Sequence, residues 1–199
     1  MTSVLILASS SVIRRHLLER ARVPIDVQSP RVDEEMVRAA LSAEGAAPRD
    51  QADALAEIKA RRISEKAPDQ LVLGCDQVLD HDGMVISKPK DIETAADQLR
   101  RLRGQRHMLH SAAVICRDGE PIWRHVGTAR LTMRDFSDAY LDGYLTRNWE
   151  SIRHSVGGYK LEEEGVRLFA RIDGDYFTIL GLPLLELLGY LTVRGDLLS

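Results

Sequence analysis

Three hydroxyls in a row, Ser9-Ser10-Ser11, follow the apolar run Val4-Leu5-Ile6-Leu7-Ala8 and precede Arg14 and Arg15. The amphipathic stretch His16-Leu17-Leu18-Glu19-Arg20 comes next. This pattern predicts a strand, a short polar turn and a helix N-terminus. Free N–H groups and the positive end of the helix dipole would then sit beyond the strand, where an anion is favoured. Arginine adds forked donors that fit phosphate oxygens. The same residues also fit a plain serine N-cap with surface arginines.

Other candidates lie farther along. Asp76 follows the apolar run Leu71-Val72-Leu73-Gly74-Cys75. A carboxylate at the C-terminal end of a sheet strand can hold a metal or act as a general base, or can simply cap the next turn. Lys88 precedes Pro89, which stiffens the chain and would aim the ammonium. Lys59 falls in a helical pattern whose apolar face reads as Leu55, Ile58 and Ile63, a setting in which most lysines are solvated. Asp33-Glu34-Glu35 is either a favourable acidic first helical turn or a source of metal ligands. His107 and His110 are three apart in a strand-like segment, so they face opposite ways and make a poor metal pair. Walker-type glycine loops, zinc-type cysteine spacing and a Gly-x-Ser-x-Gly elbow are all missing. Hydroxyls and arginines near the N-terminus, a carboxylate on a strand and stiffly presented lysines are together the parts for metal-assisted attack on a polyphosphate.

These residues need a scaffold. The pattern predicts strands over 4–8 and 24–28, and a buried strand over 71–75 with Asp76 at its end. A hairpin follows over 78–86. Two long antiparallel strands, 107–116 and 120–133, join at Arg117-Asp118-Gly119. A further strand is expected over 166–172. Helices are expected at 12–21, from the acidic run to about 43, from 49 to before Pro68, at 92–102, after Ser137, and at 184–191. Gly157-Gly158 reads as a loop. The alternation predicts an α/β fold with a central mixed, partly antiparallel sheet and flanking helices.

The chain has 199 residues, enough for one domain, expected to span 1–199. Hydrophobic residues make up 44%, enough for a sizeable core without staples. A net charge of −3 argues against a dedicated nucleic-acid binder. Cys75 and Cys116 form no disulfide framework. No stretch reads as a signal peptide or reaches the ~18 apolar residues of a membrane span. A soluble cytoplasmic protein without nucleic-acid or membrane partners is the expectation.

The motifs, taken in order, resemble those of the Maf family of nucleotide pyrophosphatases. Leu7 to Arg15 is similar to the family's opening Ser-x-x-Arg motif, Val32-Asp33-Glu34 to its acidic motif, and Leu55 to Ala60 to a segment bearing a family lysine. Gly74-Cys75-Asp76-Gln77-Val78 resembles the segment carrying the catalytic aspartate, and Ser87-Lys88-Pro89-Lys90 the Gly-Lys-Pro motif. Gly157 to Glu162 resembles the base-recognition loop. Gly174-Asp175-Tyr176 with Gly181 to Leu184 resembles the C-terminal signature.

The resemblance implies a Maf-like fold of two lobes around a cleft, frequent homodimers, and hydrolysis of a nucleoside triphosphate to monophosphate and pyrophosphate with Mg²⁺ or Mn²⁺. It implies that Asp76 accepts a proton from the attacking water and that Glu34 helps place metal or water. Ser9, Arg14, Lys59 and Lys88 would bind phosphates, and Ile13, Gln77 and Glu162 would tune base choice. The chain departs from the common family pattern at Val12 (proline), Ser87 (glycine), Gln77 (threonine) and Glu162 (glutamine). Gln77 and Glu162 resemble the 7-methyl-GTP-preferring subfamily, whose usual aromatic residue is replaced here by Ile13. The competing readings are a nucleotidyltransferase, whose glycine-rich signature is missing, and a non-catalytic nucleotide-binding regulator of division, which would not need a positioned base.

Overall fold

A computed structural model describes residues 4–198, and a mixed sheet forms its frame. The strands are β1 (Leu5–Ala8), β2 (Ile25–Val27), β3 (Val72–His81), β4 (Met84–Ile86), β5 (Arg106–Arg117), β6 (Glu120–Met133) and β7 (Phe169–Asp173). The helices are α1 (Val12–Arg20), α2 (Glu34–Ala43), α3 (Pro48–Ser64), α4 (Ile92–Leu102), α5 (Asp138–Ile152), α6 (Tyr176–Ile179) and α7 (Leu184–Arg194). The seven strands run in the order β2-β1-β3-β5-β6-β7, with β4 paired to β3 off this path. Strands β2, β1 and β3 are parallel, and the other pairings are antiparallel. The expected α/β class with a mixed sheet and flanking helices is the observed one. No helix among the described residues is long and apolar enough to cross a membrane.

Alternation sorts the sheet's side chains between two layers. Leu5, Leu7, Leu73, Cys75, Ala113 and Ile115 pack with Leu17 and Leu18 of α1 and Leu184, Leu187 and Leu191 of α7. Ile6, Ala8, Val72, Val78, Ala112 and Val114 pack with Ala52, Ala56, Ala60 and Ile63 of α3. Helices α4 and α5 cover the far end through Leu99, Leu102, Leu141 and Tyr144. Helix starts follow the capping rule: Ser11, Asp33, Asp91 and Ser137 each accept a backbone N–H with the side chain. Asp33 is thus a cap, which leaves Glu34 as the first residue of α2.

Two expectations need correction. Residues 71–75 and the first arm of the hairpin are one strand, β3, so Asp76 lies in mid-strand. β5 pairs with β3 continuously from Val72 to Asp80, which is what keeps the strand extended past Asp76. On the opposite edge, β1 pairs as far as Gly74 and β4 begins at Leu79. The segment 75–78 has no strand on that side, so Asp76 still stands at a break in the sheet. The second correction concerns 166–172: Glu164–Leu168 forms a 3₁₀ turn, and β7 starts only at Phe169. The one-turn helix α6 had no periodic signal.

Buried histidines tie the far end together. His107 Nε2 lies 2.7 Å from the Tyr159 hydroxyl, and the Tyr144 hydroxyl donates to the Gly158 carbonyl at 3.2 Å. His110 contacts Thr128 Oγ1 at 3.0 Å and Asp80 at 3.4 Å. Both histidines are therefore structural. Burial, with His81 nearby, pushes the His107 pKa down from 6.5 to about 4. The unfolded chain thus binds this proton before the folded one does. Its contribution is complete above about pH 6.5 and is lost as pH falls toward 4, up to about 3 kcal/mol. Denaturant titrations of the protein and of His107→Gln at pH 7.5 and pH 4.5 should show a shallower pH slope in the variant. Equal slopes would remove His107 as the source.

Candidate active site

The break in the sheet opens into a cavity of about 870 Å³. Its lining includes every residue to which the resemblance gives a site role, Ser9, Ile13, Arg14, Glu34, Lys59, Asp76, Gln77, Lys88 and Glu162, but not the further candidates Arg15, Asp33 and Glu35.

Asp76 is 3% exposed, so its charge needs partners. It has two. Lys59 Nζ lies 2.8 Å from Oδ1, and Arg38 Nη2 lies 2.9 Å from Oδ2. Lys59 also reaches Glu34 at 2.6 Å, and Arg38 stands 3.9 Å from Glu34. Two carboxylates and two cations thus form one cluster. Burial raises the Glu34 pKa, but Lys59, with Lys88 and Arg38 behind it, outweighs this and holds the carboxyl below its ordinary value.

Lys59 departs from the solvated role expected of it. The buried face of α3 carries Ala52, Leu55, Ala56, Lys59, Ala60 and Ile63, whereas Ile58 is 37% exposed. The helix can press onto β3 because position 74 is glycine. A Cβ there would meet the Ala60 nitrogen at 2.6 Å and run into the Ala56 carbonyl oxygen. That close approach sets Lys59 against Asp76. Neighbouring Cys75 faces the other layer, and burial pushes its thiol up to about 11, so it is no nucleophile.

Arg14 is buried and bridges the edges of the break. Its Nε donates to the Gly181 carbonyl at 2.8 Å, and Nη1 donates to the Cys75 carbonyl at 3.0 Å and to Ser9 Oγ at 3.4 Å. Cys75 lies in the segment without a neighbouring strand, so the guanidinium takes the place of a missing ladder partner. Ser9 Oγ also accepts from the Ser11 N–H, fixing the β1–α1 turn. Lys88 is exposed beside buried Pro89, at the end of the β3–β4 hairpin.

Next to Asp76 on β3, Gln77 Nε2 donates to Ser111 Oγ at 3.0 Å and to the carbonyls of Thr178 and Ile179 at 3.2 and 2.9 Å. Two carbonyls require the amide NH₂, so only Oε1 of this side chain remains for a ligand. Three consecutive glutamates differ in the same way. Glu163 is held by Ser151 and Lys160, and Glu164 by Arg147 and Asn148. Arg147 and then Asn148 lower the Glu164 pKa to about 2. Glu162 is exposed, lines the cavity, and has no hydrogen bond or ion pair with a described residue. Ile13 lines the same region with Val156, Ile179 and Leu180.

The sequence reading missed Arg38, Ser111 and Thr178. Arg38 had a usable signal, its i, i+4 spacing from Glu34 on α2. Among the described residues no group of three or more His, Cys, Asp or Glu forms a metal cage.

The family model for Maf-like protein matches residues 4–193. The chain belongs to the Maf family. A relative named nucleoside triphosphate pyrophosphatase from Roseobacter denitrificans is 66% identical over 197 residues, covering 99% of each chain. One of the same name from Ruegeria pomeroyi is 65% identical over 195 residues, 98% of each chain. A relative from Rhizobium etli named 7-methyl-GTP pyrophosphatase is 48% identical over 197 residues, 99% of each chain. In this Maf protein, lysine at position 14 could not reproduce the guanidinium fork. Arg14→Lys should leave a buried carbonyl unpaired and cost about 1–3 kcal/mol in denaturant melts. Unchanged stability would show that the Gly181 and Cys75 contacts carry little.

Proposed function

We propose that this Maf protein hydrolyses nucleoside triphosphates to the monophosphate and pyrophosphate. The observation that carries the reading is the buried pair Asp76–Lys59, joined to Glu34 and Arg38 and opening into one cavity with Lys88, Arg14 and Ser9. The printed names of the Roseobacter and Ruegeria relatives agree with it.

In this mechanism the phosphates lie against Ser9, Arg14, Lys59 and Lys88, whose donors match their oxygens. Asp76 accepts a proton from the attacking water. The attacked phosphorus gains the water oxygen and loses the α–β bridging oxygen, which keeps the bonding electron pair and departs with its fragment. Glu34 and Asp76 would hold a divalent cation. A carboxylate pair completed by substrate phosphates is a donor set that Mg²⁺ accepts, and two carboxylates without a full protein cage fit an ion that arrives with the nucleotide. The cation, Mg²⁺ or Mn²⁺, supplies neutralisation of charge on the departing phosphates.

Glu162 is the base-selecting residue in this reading, because among the described residues it is the one carboxylate of its run left without a partner. Its oxygens only accept, which suits the N1–H/N2–H edge of guanine or a cationic methylated purine. Against thymine O4, acceptor would oppose acceptor. The Rhizobium relative's name points the same way.

Two measurements test these points. Chromatography should show monophosphate and pyrophosphate, and Asp76→Asn should lower turnover by ~10²–10⁴-fold. Orthophosphate plus diphosphate as products, or near-normal turnover of a folded Asp76→Asn variant, would falsify the assignment. In competition between equimolar 7-methyl-GTP and dTTP, the methylated purine should win, and Glu162→Gln should narrow the gap. A clear dTTP preference in the unsubstituted protein would remove Glu162 from base selection.

A further inference from the structure

Both oxygens of Asp76 are taken by cations, yet a carboxylate that takes a proton from water and helps Glu34 hold a divalent cation needs lone pairs that are free. The two cations differ in how firmly they are held. Lys59 stands on the buried face of α3, is 4% exposed, and bridges Asp76 to Glu34. Arg38 stands on α2, a ten-residue helix without a single buried side chain. Among the described residues its one side-chain hydrogen bond is the contact to Asp76 Oδ2, and Glu34 lies beyond hydrogen-bond distance at 3.9 Å. Four of its five guanidinium donors are thus unused. Arg38 also lines the cavity.

Resting on the pyrophosphatase reading, we propose that Arg38 is a transferable latch: it caps Asp76 Oδ2 in the free protein and moves to the phosphates when a triphosphate binds. The physical reason is competition between acceptors. Asp76 offers one charge, already shared with Lys59, whereas a polyphosphate offers several charged oxygens that fit a guanidinium two at a time. The four-residue cluster has no net charge, so turning one cation from carboxylate to phosphate adds attraction for substrate and uncovers Oδ2 in the same movement. Since α2 places no residue in a hydrophobic core cluster, the swing costs no core packing. The latch keeps the buried carboxylate paired while the cavity is empty. Arg38 therefore joins the phosphate-binding residues.

The experiment has two arms. In steady-state kinetics, Arg38→Met should raise KM for every triphosphate by about tenfold or more, with a smaller effect on kcat and the same ranking of bases. Arg38→Lys should recover part of the loss, because it keeps the charge but not the fork. An unchanged KM, or equal behaviour of the Met and Lys variants, would overturn a phosphate contact. The second arm is a thermal-stability cycle of Arg38→Met and Asp76→Asn, run without ligand and with a saturating α,β-imido triphosphate. The two substitutions should be coupled in the free protein and additive with the analogue bound. Coupling that persists with the analogue would show a fixed structural pair. The cycle needs no turnover, so it decides the latch even if product analysis overturns the pyrophosphatase reading.

Discussion

Position 74 has no side chain, and helix α3 occupies the space one would fill. With Ala56 and Ala60 as the facing residues, the helix backbone comes down onto β3 more closely than any larger pair would permit. The arrangement around Asp76 follows from that approach. Lys59, on the same face as the two alanines, is carried to hydrogen-bond distance of Asp76, two residues beyond Gly74 on the same side of the strand. An alanine at 74 would push α3 away, and Lys59 with it. Asp76 would then be a buried carboxylate short of a cation, which is far costlier than the lost packing alone.

The sheet contributes the second constraint, an interruption. A carboxylate in the middle of a fully paired strand would be walled in by neighbouring strands and helices. Here β3 has a continuous partner in β5 but changes partner from β1 to β4 on its other edge. The uncovered segment gives Asp76 access to the cavity. The missing backbone partner at Cys75 is replaced by Arg14, which also grips Gly181. Arg14 is therefore a structural bolt, and under the proposed function stability and substrate handling would meet in one guanidinium.

Much of this was legible in the sequence, and the failures share a cause. Strand β1, the serine turn and α1 were read correctly, because apolar run, cap and helical period are all local signals. The helical pattern alone reads Lys59 as a common solvated lysine, and only the resemblance singles it out, because its side of α3 is built largely from alanines, which carry little hydrophobic signal although Gly74 demands them. Asp76 was placed at a strand end because the change of partner along β3 is a tertiary event invisible in β3 itself. Arg38 was overlooked because its partner is 38 positions away, and a lone arginine on a charged helix looks like any solvated one. The split among Glu162, Glu163 and Glu164 was equally hidden, since Arg147, Asn148, Ser151 and Lys160 select which glutamates are held.

Two groups of cavity residues solve different electrostatic problems. Around Asp76 each charge is paired with an opposite one, so under the proposed function a polyanion would gain by replacing internal partners rather than by meeting bare cations. In the second group, polarity is sorted by satisfaction. Gln77 has its donors consumed by Ser111, Thr178 and Ile179 and keeps only an acceptor. Glu162 is all acceptor and has no described partner. The two residues therefore present oxygens alone, while Ile13, Val156, Ile179 and Leu180 supply apolar surface for a ring. Under the proposed function, acceptors together with this apolar lining would favour a flat ligand that brings N–H donors or positive charge of its own. A threonine at 77 would carry a hydroxyl able to donate, and a glutamine at 162 would add an amide donor, so the two departures from the common family pattern act in the same chemical direction.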